Sequence, residues 1–95
     1  MLGFEEITMK KISFNNDKNV IHERLRYYRK LRGLSQEQVV AKMQTMNVNI
    51  DQQALSRIEK NCRIVTDYEL ACFCKVLNVT ERELLASFYD TEQSE

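Results

Sequence analysis

One six-residue pattern recurs down the chain and restricts what it can fold into. "LSQEQV" (Leu34–Val39), "VTDYEL" (Val65–Leu70) and "VTEREL" (Val79–Leu84) share one order of side chains. Each sets a hydroxyl residue behind an apolar one, a Gln or Glu three positions later, and a second apolar residue directly after that. This is a helix start: the hydroxyl oxygen accepts the third backbone N–H, and the Gln or Glu reaches back to the cap N–H. The two flanking apolar residues staple the entering chain to the first turn. "IDQQAL" (Ile50–Leu55) is a partial copy, with Asp51 as cap and Ala54 where the box residue would stand. A good cap stabilises its helix by about 1 kcal/mol. Four such starts in 95 residues leave little chain for anything but helices, and the absence of proline and scarcity of glycine agree.

A fifth helix precedes them. Ile21, Leu25, Tyr28 and Leu31 recur at helical spacing among arginines, and Gly33 follows where a left-handed residue closes a helix. The pattern predicts helices over 20–32, 35–46, 51–60, 66–77 and 80–88, an all-α domain spanning 20–88. Residues 1–19 read as an arm in which "KISF" (Lys11–Phe14) is a candidate short strand, and 89–95 as an acidic tail that frays. Leu70, Phe73, Cys74 and Leu77 form a core stripe, which points Cys72 to the other side, toward solvent. At 43% apolar the composition supports one small core, and no apolar run is long enough to cross a bilayer. The first residues lack the order of a signal peptide, so a cytoplasmic location with no membrane contact is expected.

Chemistry is sparse. The cysteines (Cys62, Cys72, Cys74) are odd in number and have no histidine beside them, so reduced thiols are expected rather than a metal site. His22 reads as a surface histidine without a carboxylate partner. Asp67, Glu69, Glu81 and Glu83 lie in first turns, where the helix dipole accounts for them. Nothing pairs a nucleophile with a base and no glycine-rich loop could cradle phosphate, so neither an enzyme nor a cofactor is expected.

Net charge is zero, but it is unevenly spread. Residues 18–63 carry ten Lys or Arg against four acids, while residues 64–95 carry two against seven. A basic face can therefore exist on a neutral chain. The helix 51–60 lies in the basic part. At about 100° per residue, Gln52, Ser56, Lys60, Gln53 and Arg57 share one arc, with Ala54, Ile58 and Leu55 opposite. That arc holds amides, a hydroxyl and cations, with no carboxylate. Taken alone it fits a solvated face; it also suits base edges, where glutamine matches adenine and arginine matches guanine.

The upstream residues decide between these readings. "RGLSQEQ" (Arg32–Gln38) and "LSRIEKN" (Leu55–Asn61), joined through the polar turn "NVN" (Asn47–Asn49), resemble the Cro/repressor-type helix-turn-helix (XRE) family. The likeness runs from about residue 20 to 85 and implies a compact five-helix repressor-like DNA-binding domain. Several extra residues between Val40 and Asp51 resemble the subgroup with an extended second helix and longer turn. Asn47 and Asn61 stand where the family has glycine, and asparagine is the next best residue for a left-handed backbone. Val40 replaces a small alanine where two helices cross.

The resemblance implies roles. Gln52, Gln53, Ser56 and Arg57 become base readers, Gln36 a phosphate ligand, and Lys60 and Arg63 backbone clamps. Lys18, Arg24 and Arg26 either add to the field or are merely solvated. Arg29 and Glu59 are expected as a partly buried ion pair fixing the first helix on the third. The expected function is a sequence-specific DNA-binding transcriptional regulator, a repressor acting as a homodimer. Leu85, Phe88 and Tyr89, or a swapped Met1–Phe14, could form the dimer surface or cover the monomer's own core. The rival is a protein-interaction module or antitoxin-like regulator, whose acidic 64–95 segment would suit a basic partner protein.

Overall fold

The computed structural model describes residues 13–93, with side chains as far as Asp90. The helices are α1 (His22–Leu31), α2 (Gln36–Thr45), α3 (Gln52–Glu59), α4 (Asp67–Leu77), α5 (Glu81–Leu84) and α6 (Ala86–Gln93). Among the described residues there is no strand, only an isolated bridge between Phe14 and Asp17. Lys11 and Ile12 of "KISF", and residues 1–12 of the swap candidate Met1–Phe14, lie outside the described residues.

The capping grammar holds. Ser35, Thr66 and Thr80 accept from the N–H of Gln38, Glu69 and Glu83, whose side chains return the bond, and Asp51 accepts from Ala54 N–H at 2.8 Å. The helix ends follow a second grammar. Gly33, Asn47, Asn61 and Asn78 all have positive φ, between 56° and 71°. After each, the next N–H bonds a carbonyl five residues back: Leu34 to Arg29, Val48 to Met43, Cys62 to Arg57 and Val79 to Cys74. That pairing satisfies carbonyls which a helix end would leave bare. Leu34 and Val79 serve both grammars, closing one helix and preceding the cap of the next, and both pack on the core.

That core is formed by Ile21, Leu25, Val39, Val40, Met43, Ile50, Leu55, Ile58, Phe73, Leu77 and Leu84, with Cys72 and Cys74. Helix α3 packs on α1 and α2, and α4 packs on α2 and α1. Two expectations need correcting. Cys72 is buried rather than exposed, because α2 crosses α4 on that side and the thiol donates to Met46 Sδ at 3.4 Å. Burial raises the Cys72 thiol despite Lys75 nearby; burial, with Glu81 and Glu83, pushes Cys74 up to about 11. Both therefore stay protonated and behave as small apolar groups. Leu31, the last member of the α1 stripe, is 57% exposed. The end of α1 is fastened instead by Arg32, which donates to the carbonyls of Leu77 and Asn78 and so caps α4.

The last predicted helix is interrupted at Leu85, and α6 then continues to Gln93, past the point where the tail was placed. Phe88 packs on Phe14 with ring centroids 5.2 Å apart, and Arg82 lies over Tyr89. These aromatics thus cover part of their own chain. Among the described residues, no helix is long and apolar enough to cross a membrane.

Candidate nucleic-acid interface

Helix α3 starts at the Asp51 cap after a stitched turn. Gln44 donates to the Ile50 carbonyl at 3.0 Å, and Ile50 itself is buried. These bonds set the rotation of α3, so Leu55 and Ile58 are fully enclosed while Gln52, Gln53, Arg57 and Lys60 face outward and are exposed. Ser56 is half-buried at the inner edge of that face. The helix contains a single acid, Glu59, and it is turned inward at 8% exposure. The outward face therefore carries amides and cations without a carboxylate to repel phosphate.

Glu59 is held by Arg29. Arg29 Nε donates to its Oε2 at 2.6 Å and Arg29 Nη2 to its Oε1 at 3.0 Å. The two side chains are 12% and 4% exposed. Arg29 Nη1 also donates to the Leu34 carbonyl, tying in the turn before α2. The series continues outward: Gln36 Nε2 donates to Glu59 Oε1 at 3.0 Å, and Gln52 Nε2 donates to Gln36 Oε1 at 3.3 Å. A buried charge thus fixes the amide of a surface residue through one intermediary. Gln36 keeps one amide hydrogen, at the first turn of α2 where backbone N–H groups also point outward.

The expected clamps divide. Lys60 is exposed and has no partner among the described residues. Arg63 forks onto Glu69, with both contacts at 3.0 Å, and donates to the Ile64 carbonyl. The hydrogen bond to Glu69 raises the Arg63 guanidinium further. Burial by itself would push the Glu69 carboxyl up; the Arg63 fork and the Thr66 N–H outweigh it and leave it below the usual glutamate value. So Glu69 answers Arg63 as well as the helix dipole. Of the outer cations, Arg24 stacks over Tyr27 and Tyr28 and donates to the Tyr28 hydroxyl. Arg26 is exposed without a partner among the described residues.

The residues on the other side of α3 were not among those singled out by sequence. Phe14 and Asp17 exchange backbone bonds across Asn15 and Asn16, both at positive φ. The chain then runs past the end of α3. Asn19, 8% exposed, donates to the carbonyls of Ile58 and Arg63 at 3.0 and 2.9 Å, and accepts from Ile21 N–H. Asn61 donates to Asp17 Oδ1 and accepts from Lys18 N–H, both at 2.8 Å. His22, read as partnerless, stands 3.6 Å from the same Asp17 carboxylate, because this turn brings Asp17 back beside α1. The paired asparagines at 15 and 16 were the available signal, being suited to a two-residue turn with both φ positive.

A family model described as Helix-turn-helix matches residues 25–84, more than half of the chain. It begins inside α1 and ends with α5, so it takes in Arg29, Gln36, α3 and Glu59. No curated protein matches the chain.

Proposed function

This chain belongs to the XRE-type helix-turn-helix family of DNA-binding regulators, and from that premise we propose that it reads duplex DNA with α3 in the major groove. The observation that carries this is the outward face of α3: Gln52, Gln53 and Arg57 exposed, with the helix's one acid buried against Arg29.

Gln53 and Arg57, free of partners among the described residues, are the readers not engaged by the protein itself. The amide can donate and accept together toward adenine, and the guanidinium can fork onto guanine. Gln52 differs. Its nitrogen already spends one hydrogen on Gln36, so its orientation is set before DNA arrives. Such preorganisation reduces the ordering cost that binding must overcome. Gln36, with the first N–H groups of α2, meets a backbone phosphate beside this reader. Lys60 adds a second backbone contact. Arg63, engaged with Glu69, supports the loop after α3 rather than gripping DNA.

One α3 spans few base pairs, so a homodimer on a palindrome is the natural reader, with half-sites one helical turn apart, about 34–36 Å. Occupying a site is enough to block other proteins there, and we assign a repressor's role on that ground. Selection from a pool of random duplexes with purified protein tests the reading. The expected result is an inverted repeat with half-sites one turn apart, bound with steeply falling affinity as salt rises. A folded sample that enriches no sequence at low salt would sink it.

A further inference from the structure

We propose that the cleft between α1, α2 and α3 is a seat for one DNA backbone phosphate, gripped by Arg26, Lys60 and Ser56. This rests on the reading of α3 as the helix in the groove, and it gives Ser56 a different task from the base reading its helical position suggests.

The cleft has a volume of about 130 Å³ and is lined by Arg26, Arg29, Gln36, Ser56, Glu59 and Lys60. Small-molecule sites occupy about 300–1,000 Å³, so this one suits a single small group and not a cofactor. Its electrostatics are one-sided. Glu59 is matched by Arg29 and also accepts from Gln36, so its oxygens are in use. The charges of Arg26 and Lys60 remain, and neither has a partner among the described residues. The half-buried Ser56 hydroxyl likewise has no partner among them, and Gln36 keeps one hydrogen. The cleft thus offers a guanidinium, an ammonium and a hydroxyl, with its carboxylate already taken, beside the amide hydrogen of Gln36 at its rim. A donor set of that kind fits an anion with several acceptor oxygens.

Position selects which anion. Ser56 stands at the inner edge of the outward face of α3, and Lys60, the C-cap one turn on, stands at the end of the helix away from Gln52 and Gln53. A helix lying in the major groove has a phosphate backbone along its flank. Arg26 approaches from α1, which packs against α3. Two elements therefore reach the same phosphate, and the grip fixes how deeply α3 sits.

The test uses the full chain and a duplex enriched from random sequence by the wild-type protein. Arg26→Gln, Lys60→Gln and Ser56→Ala should melt like wild type. The two charge variants should each weaken binding about tenfold, and Ser56→Ala about threefold, equally across duplexes with altered bases. In duplexes carrying one neutral methylphosphonate at successive positions, a single position should weaken wild type yet leave the Arg26→Gln/Lys60→Gln double variant indifferent. Inorganic phosphate at matched ionic strength should compete no better than chloride. Variants that bind as wild type does, that respond to separate phosphates, or a Ser56→Ala that changes base preference would each overturn the seat. Saturable competition by inorganic phosphate would make it a free-phosphate site and overturn it too. Those failures leave DNA binding standing; a wild type that binds no duplex removes both readings.

Discussion

Two polar assemblies hold α3, one on each side, and they are built for different tasks. Toward α1 and α2 runs the ladder Arg29–Glu59–Gln36–Gln52, anchored on an ion pair and ending at an exposed reader. Toward the N-terminal segment lies a clasp of amides, in which Asn19 and Asn61 bind the backbone around the end of α3. The ladder joins the stability of the domain to the aim of a reading side chain. The clasp has no member on the outward face of α3. Damage to the first should therefore alter both folding and recognition, and damage to the second folding alone.

The largest effect is expected from Glu59→Ala. It leaves Arg29 buried without its partner and releases Gln36 and Gln52, so the domain should lose about 3–5 kcal/mol of stability. Melting temperature reports the loss, and at temperatures where the variant is still folded its binding should remain weaker than wild type. A variant that melts like wild type would show that the ladder contributes nothing to the fold. Asn19→Ala comes next. It deprives the Ile58 and Arg63 carbonyls of a donor and the Ile21 N–H of an acceptor, at a cost of about 1–3 kcal/mol. The folded fraction should keep the wild-type base preference. A changed preference would erase the distinction between the two assemblies.

The same contrast marks what was legible in the sequence. Helix starts were legible because a cap and its box residue are three positions apart, and the turns at Gly33, Asn47 and Asn61 because φ preference belongs to one residue. The Arg29–Glu59 pair joins residues 30 apart, and its anticipation came from the resemblance, not from spacing. The clasp joins residues 39 to 44 apart, and nothing local in "NNDKN" says which helix end it will meet. Burial of Cys72 was missed for a related reason. A single helical stripe describes one neighbour, whereas α4 packs against both α1 and α2. The Glu69 carboxylate on Arg63 was not legible either, because a basic residue after α3 looks the same in sequence whether or not an acid is folded onto it. The candidate interface was thus legible in its exposed half, and its supports were not.

Asn61 and Asn47 permit the finest separation of the two effects, since their backbones are alike and their side chains are not. Their φ values are 63° and 65°, and each closes a helix with the same pair of backbone bonds. Asn47 is exposed and its side chain has no partner among the described residues, whereas the Asn61 side chain joins Asp17 and Lys18. Glycine adopts this backbone without strain. Asn47→Gly should accordingly stay within about 0.5 kcal/mol of wild type. Asn61→Gly keeps the backbone but abolishes the side chain's bonds to Asp17 and Lys18, and should cost about 1 kcal/mol. Chemical denaturation of the two variants side by side measures the difference. The alanine variants calibrate it, since at either site alanine meets the same left-handed penalty of about 1–2 kcal/mol. If the two glycine variants unfold at the same denaturant concentration, Asn61 acts only as a turn residue, and Asn19 alone makes the clasp.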